Sequence, residues 1–159
     1  MPSRAEDDRV VALTPIRRVT VPRDLVRAVD EHVAAEHPRE AGGFLACERR
    51  GGRLHATEHV PLPNEAATPE RRFVATVDER APPEPRLCYH SHTSASTPSG
   101  LTGLDRRKIP ERYALVVFAP HGTPHSYRLF RRGLLRWQEL PVGRDGADPG
   151  EWHPLPRLS

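Results

Sequence analysis

Two histidines in the stretch "LCYHSHTSASTPSGLTGLD", residues 87–105, are the side chains best suited to chemistry. Residues i and i+2 of a β-strand point to the same face, so His90 and His92 would present their imidazoles side by side as a chelating pair. A catalytic zinc ion takes three N, O or S ligands from the protein and keeps one position open for water. Asp105 supplies the third ligand if the polar loop after His92 folds back. Such a site also needs a general base that does not itself bind the metal.

Other interpretations of these residues need motifs that the sequence lacks. The chain has nine histidines, so an HxH pair also arises by chance, with each ring on the surface or satisfied in the core. A zinc deaminase would require a P-C-x-x-C pair and a common zincin an H-E-x-x-H helix, and neither occurs. Cys88 is a weak candidate nucleophile, because it precedes His90 on the same strand and should be buried with the histidine pair. The absence of a P-loop and of G-x-G-x-x-G argues against nucleotide chemistry.

The elements that must position these side chains follow from periodicity. The first is a short strand at 16–21, and the next is a helix after Pro22 with Leu25, Val29 and Val33 on one face. Pro38 ends that helix. The remaining predicted elements are a buried strand at 40–47, strands at 54–62 and 87–92, a strand or helix start at 73–77, a short helix in 104–112 broken by Pro110, a strand at 113–120, and a hairpin at 125–140 turning at Gly133. This order predicts an α/β domain with a mixed β-sheet flanked by helices.

Length and composition limit the classes of function. The 159 residues suit a flexible N-terminal leader at 1–15, one domain at 16–140 and an irregular C-terminal tail at 141–159. The net charge is +3, Lys108 is the only lysine, and the arginine clusters are scattered mostly beside acidic residues. Nucleic-acid binding favours a basic stripe interleaved with aromatic residues, so we expect no nucleic-acid partner, although the charge would help to attract an acidic protein.

Two further features concern location. No apolar run is long enough to span a membrane, and the start of the sequence is not typical of a secretory signal. Cys47 and Cys88 are therefore expected to be reduced thiols in a cytoplasmic protein. The sequence gives no indication of the oligomeric state.

With these elements in order, about residues 16–132 resemble the JAMM (MPN+) metalloprotease family in its short bacterial form. The segment "HPREAGGFL" after the helix is similar to the family's first active-site segment, in which a glutamate precedes a small, glycine-containing strand. The resemblance implies that Glu40 is the general base. It extends to "VPLPNEAATPERRFVAT", "YHSH", "YALVVFAP" and "HSYRLFRR". It implies a JAB/MPN fold with cytidine-deaminase-like architecture.

The loop after the histidines departs from the family pattern, which is H-x-H, seven residues, serine, two residues and aspartate. Here Thr93 follows His92 where a proline is common, and both the serine and the aspartate positions fall on glycines. A two-residue insertion makes Thr102 the counterpart of the serine and Asp105 that of the aspartate. Alternatively, Ser99 is the serine and Thr102 occupies the aspartate position, which removes a ligand. We favour the insertion because lengthening a loop costs little closure entropy.

The resemblance implies hydrolysis of an amide or isopeptide bond with Zn²⁺ held by His90, His92 and Asp105. Thr102, or a serine such as Ser99 or Ser91, would donate a hydrogen bond to the oxyanion. The implied substrates are the C-terminal glycine tails of ubiquitin-like or sulfur-carrier proteins. A non-catalytic MPN-type binding module that has lost its metal is the alternative, and a DNA-repair-associated relative of the same fold is a third and weaker hypothesis.

Overall fold

The structure is a computed structural model and describes residues 15–144. Residues 1–14 of the predicted leader (1–15) and residues 145–159 of the predicted tail (141–159) lie outside the described residues. In chain order the elements are β1 (Arg18–Val21), α1 (Arg23–Glu36), β2 (Gly42–Arg50), β3 (Arg53–Leu62), β4 (Arg86–His92), α2 (Gly103–Lys108), β5 (Tyr113–Phe118), β6 (Ser126–Arg132), β7 (Trp137–Leu140) and β8 (Val142–Arg144).

Helix α1 packs against the sheet through a stripe of valines. Val26, Val29 and Val33 are buried, as the spacing of three and four residues between them requires. Leu25, which we expected on this face, is only partly buried against the core, and Val26 takes its place. The helix ends at Glu36, shortly before Pro38, which lacks the N–H that a continuing helix needs.

Within the described residues the strands form one mixed sheet in the order β7-β6-β5-β4-β2-β3-β1-β8. Strand β4 lies in the middle of it, parallel to β5 and antiparallel to β2. Successive residues of β4 face opposite sides, so Leu87 and Tyr89 join the large core under α1 while Cys88 packs against a smaller cluster on the other side. His90 and His92 share the face of Cys88. The predicted α/β class with a mixed sheet is confirmed.

The structure differs from the sequence-based elements in two places. Residues 73–77 form neither a strand nor a helix, and they belong to a long connection between β3 and β4. The expected irregular tail begins with a strand, β8, whose residue Val142 pairs with Val19 of β1 in parallel. Helices in the described part of the chain are all too short or too polar to cross a membrane.

Candidate metal centre

Three side chains converge at the C-terminal end of β4. The Nε2 atoms of His90 and His92 are 3.0 Å apart, and Oδ2 of Asp105 lies 3.3 Å from the first and 3.2 Å from the second. A tetrahedral zinc ion with bonds of about 2.0–2.1 Å sets its ligand atoms roughly 3.3 Å apart. Both histidines are nearly fully buried, with 6% of the residue surface exposed for His90 and 2% for His92. The donor types and spacing therefore fit a divalent metal ion.

A backbone carbonyl sets the protonation of His92. Nδ1 of His92 lies 2.7 Å from the carbonyl oxygen of Pro98. Because a carbonyl only accepts, Nδ1 must carry the proton and donate it, which leaves the Nε2 lone pair free for a metal. The loop after β4 thus orients one ligand of the site.

Asp105 is fixed by the start of α2. Its backbone N–H donates to Oγ1 of Thr102 over 3.0 Å, and its Oδ2 accepts from the Thr102 N–H over 2.9 Å. This reciprocal arrangement is a capping box, which satisfies two N–H groups that a helix start leaves without partners. The cap that begins the helix therefore also aims the carboxylate at the two histidines.

Glu40 lies beside these ligands, just before β2. Ligand atoms of Glu40, His90 and His92 all lie within 4.8 Å of one another, and Glu40 is 3% exposed. Glu40 could therefore also approach a metal ion, but the separations of 3.2 and 3.3 Å that Asp105 makes with the histidines match the spacing of zinc ligands more closely. The Glu40 backbone is held on both sides, by its N–H donating to the Pro69 carbonyl at 2.7 Å and by its carbonyl accepting from Asn64 at 2.9 Å.

The ligands have shifted pKa values. Burial lowers the pKa of His90, although Asp105 opposes the shift. For His92, burial also lowers the pKa, but the hydrogen bonds to Asp105 and Pro98, with the charges of Asp105 and Glu40, raise it overall. Burial alone would raise the pKa of Asp105, but the two histidines and the Thr102 N–H hold it well below its usual range. The carboxylate therefore stays ionised and ready to bind a cation.

Glu40 has the opposite shift. Burial raises its pKa to about 7, and the charge of Asp105 adds to this, while His92 and Arg72 oppose it. A general base works best when its pKa is near the working pH, because it then both accepts and returns a proton readily. Glu40 is therefore suited to proton transfer rather than to a permanent ion pair.

The predicted oxyanion donors occupy different places. Thr102 lines a cavity of about 340 Å³ together with the four residues of the centre. Its oxygen accepts from Asp105, which leaves its hydroxyl proton available. Ser99 does not line this cavity and instead accepts a hydrogen bond of 3.1 Å from Nη1 of Arg128. Ser91 is fully buried, and its Oγ accepts from the Ala41 N–H at 2.8 Å.

Two positioning residues were not predicted from the sequence. Nδ2 of Asn64 donates to the carbonyls of Glu40 and Arg72, and its Oδ1 accepts from the Val74 N–H, so one side chain organises the loop beside the centre. Arg128 holds the loop after β4 through Ser99 and is itself fixed by Glu139 on β7 at 2.7 and 2.8 Å. The position of Asn64 directly after "PLP" could have indicated its role. An arginine on a strand is common, so the sequence gave no indication of the role of Arg128.

Comparison with solved structures supports this fold. A protein from Desulfitobacterium hafniense is 16% identical, with a TM-score of 0.57 over 87% of this chain and 99% of that chain. A JAB1/MPN domain protein from Archaeoglobus fulgidus is 18% identical, with a TM-score of 0.50 over 80% of this chain and 97% of that chain. At these identities the likeness shows the fold alone.

The sequence itself was also compared with known proteins and families. The search of curated proteins gives no match. The family model described as prokaryotic homologs of the JAB domain matches residues 22–132, which include every residue of the candidate centre. The chain therefore belongs to the prokaryotic JAB domain family.

Proposed function

We propose that this protein is a zinc-dependent peptidase or isopeptidase. In this proposal it hydrolyses the amide bond after the C-terminal glycine tail of a ubiquitin-like or sulfur-carrier protein. One observation carries the proposal. His90, His92 and Asp105 bring their ligand atoms to within 3.0–3.3 Å of one another, with Glu40 buried beside them. Membership of the JAB domain family supports the same class of chemistry.

The residues divide the work of hydrolysis. When bound by His90, His92 and Asp105, zinc supplies Lewis acidity, which lowers the pKa of water and polarises the scissile carbonyl. Glu40 takes a proton from the attacking water and returns it to the leaving amine, so the products are a carboxylic acid and a free amine. The Thr102 hydroxyl donates a hydrogen bond to the oxyanion. Loss of such a donor typically slows an enzyme by about 10²–10³-fold.

Phe73 lines the cavity, and its ring packs against Gly42 next to the metal centre. Gly42 pairs with His90 across the sheet, so it lies beside the metal centre. The ring of Phe73 covers it so closely that a Cβ on Gly42 would lie 2.5 Å from the ring. The ring therefore fills the space over Gly42, and we expect a tail without side chains, such as one that ends in glycine, to pass it most easily.

One wall of the cavity has an open backbone edge for an extended tail. The Val74 N–H donates to Oδ1 of Asn64 and the Val74 carbonyl accepts from the Glu65 N–H, at 3.2 and 2.7 Å. Neighbouring residues of an extended chain point their N–H and C=O groups to opposite edges, so those of Phe73 and Ala75 point away from Asn64. Within the described residues these groups have no hydrogen-bond partner, and both residues line the cavity. An extended tail can add here as a further strand.

The test combines metal analysis with cleavage of a synthetic peptide that ends in Gly-Gly joined to a fluorescent amine. We expect the protein to bind one equivalent of zinc and to release the amine. Glu40→Gln should keep zinc and lose cleavage, because the ligands remain and the base does not. Asp105→Ala should lose zinc, whereas Thr102→Ala should keep it and cleave more slowly.

Other results would contradict specific parts of this proposal. Unchanged turnover in Glu40→Gln would refute the base, and loss of zinc from Thr102→Ala but not from Asp105→Ala would refute the ligand set. A protein that binds no zinc at neutral pH would instead support the metal-free binding module. The proposed location is the cytoplasm, with which the free thiols of Cys47 and Cys88 agree.

A further inference from the structure

The cavity continues from the metal centre as a groove along β4. The strand register pairs His90 with Gly42 and Cys88 with Phe44, so the side chains of His90, Cys88 and Phe44 lie on one face of the sheet and line the cavity. Arg86 is two residues further along and opens the strand. At about 3.3 Å per residue, β4 spans roughly 13 Å from His90 to Arg86. Glu111, which lines the cavity and pairs with Arg86, marks the far end of the groove. This length fits about four residues of an extended peptide.

An internal ion pair closes the far end of the groove. Nη2 and Nε of Arg86 donate to Glu111 at 2.9 and 3.2 Å, and Nη1 donates to the Pro82 carbonyl at 2.9 Å. The guanidinium also lies over the Phe44 ring, 4.8 Å from its centroid. Both charged side chains are largely buried, with 19% and 10% exposed. Neither charge is therefore left for a substrate.

The other charged residues that line the cavity are two acids and three cations. Apart from Glu111, the acidic residues that line the cavity are Glu40 and Asp105, and a divalent ion at the metal centre would compensate both. The cationic residues not yet paired with an acid are Arg71, Arg72 and Lys108. All are exposed, and none has a carboxylate within 4.0 Å among the described residues. None of these three cations is therefore held in a direct ion pair within the described part of the chain, and each can contact an acidic group of a ligand.

Lys108 is the cation best placed to contact the tail. It follows Asp105 by three residues on α2, and residues at this spacing share one face of a helix. Lys108 therefore lies on the wall beyond the metal ligand, in the direction of Ile109 and Glu111, which also line the groove. Arg72 is closer to the metal centre, since its charge lowers the pKa of Glu40.

From this arrangement we infer that the groove selects acidic tails over basic ones, with Lys108 as a specificity-determining residue. The inference rests on the proposed function and narrows its substrate class to an extended peptide with Asp or Glu at the two positions immediately before a final Gly-Gly. Arg71 and Arg72, which line the same cavity, strengthen the preference. An arginine at the same tail positions faces like charge along the groove, and its natural partner, Glu111, is already occupied by Arg86.

The test uses three synthetic peptides, acetyl-Leu-Xaa-Xaa-Gly-Gly joined to aminomethylcoumarin, with Asp, Asn or Arg at both Xaa positions. Turnover is measured with the zinc-loaded protein, and binding is measured in parallel by anisotropy of labelled peptides. We expect kcat/KM and affinity in the order Asp, Asn, Arg, with about tenfold between the extremes, because an exposed ion pair contributes about 1.4- to 5-fold. The difference should lie mainly in KM and shrink to about twofold in roughly 0.5 M NaCl.

Variants assign the preference to the groove. Lys108→Gln should reduce the ratio between the Asp and Arg peptides, and Lys108→Glu should bring it close to one or reverse it. Arg27→Gln is the matched control, because Arg27 is exposed on α1, which packs on the opposite face of the sheet. It removes the same charge from the protein and should leave the ratio unchanged.

The two measurements separate this inference from the proposed function. Selective binding of the Asp peptide without turnover would support the inference and contradict the peptidase assignment. Turnover with equal rates for the Asp and Arg peptides, or faster turnover of the Arg peptide, would overturn the inference and leave the peptidase assignment intact. Absence of binding to any of the peptides, or an equal effect of Arg27→Gln and Lys108→Gln, would also overturn it.

Discussion

Replacement of Glu40 by glutamine should stabilise the metal-free protein at alkaline pH. The pKa of Glu40 is raised from 4.5 to about 7 in the folded state, mainly by burial. Between these two values the folded protein holds a proton that the unfolded chain releases. The native protein therefore loses stability as the pH rises through this window, and the full penalty is present above pH 7. Glu40→Gln has no carboxyl group to ionise and avoids that loss.

The size of the effect follows from the same pKa. A change from 4.5 to about 7 corresponds to a free energy of about 3 kcal/mol. Glu40 is 3% exposed, so little of this is screened by solvent, but the buried amide of glutamine needs a hydrogen-bond partner of its own. We therefore expect a net gain of about 2 kcal/mol in the free energy of unfolding at about pH 8. For a chain of this size that is roughly 4–8 °C in Tm.

The assay is denaturant unfolding of both proteins with excess chelator, at about pH 5 and about pH 8. At the lower pH the two should be nearly equal, because Glu40 is then mostly protonated in the folded state. His92, whose pKa is raised, also loses stabilising free energy as the pH rises. The part that comes from Asp105 and the Pro98 carbonyl is present in both proteins, and Glu40→Gln removes only the part that comes from the charge of Glu40. If the two proteins differ in free energy of unfolding by the same amount at both pH values, the raised pKa assigned to the buried Glu40 carboxyl is wrong. So would a Glu40→Gln protein that is less stable at about pH 8.

Other predictions test how the centre is held. Arg128→Met should weaken zinc affinity by up to about tenfold, measured by competition with a chelator, because its bond to Ser99 holds the loop that orients His92. An unchanged affinity would contradict this. Gly42→Ala should lower kcat/KM but change the free energy of unfolding little. The new Cβ would lie 2.5 Å from the ring of Phe73, and this ring can move away because it belongs to a side chain, but the move would alter the cavity that it lines. Gly43→Ala is the contrasting variant, because its Cβ would lie 2.3 Å from the Val60 carbonyl oxygen, so chemical denaturation should show the larger stability loss there.

Local periodicity predicted the elements that carry the centre. The spacing of Val29 and Val33 marks the buried face of α1, and the apolar run that begins at Tyr113 is β5. Periodicity wrongly predicted a strand or helix start at 73–77. The backbone of Val74 there bonds to the side chain of Asn64 and to the N–H of Glu65 in a loop, and not to a neighbouring strand. It also missed β8, because the parallel pairing of Val142 with Val19 joins distant parts of the chain and leaves no local signal.

The position of Asp105 beside the two histidines could not be read from loop length, and the structure gives the physical reason. The loop between His92 and α2 is held at three points: the bond between His92 and the Pro98 carbonyl, the bond between Arg128 and Ser99, and the burial of Leu101 in the smaller core cluster. None of these contacts depends on how many residues lie between them. The direction of the Asp105 carboxylate is set instead by the capping box, which needs only T-x-x-D and a helix start. An insertion in the loop can therefore leave the position of the Asp105 carboxylate unchanged, because the capping box sets the distance from the cap to the carboxylate independently of the number of loop residues.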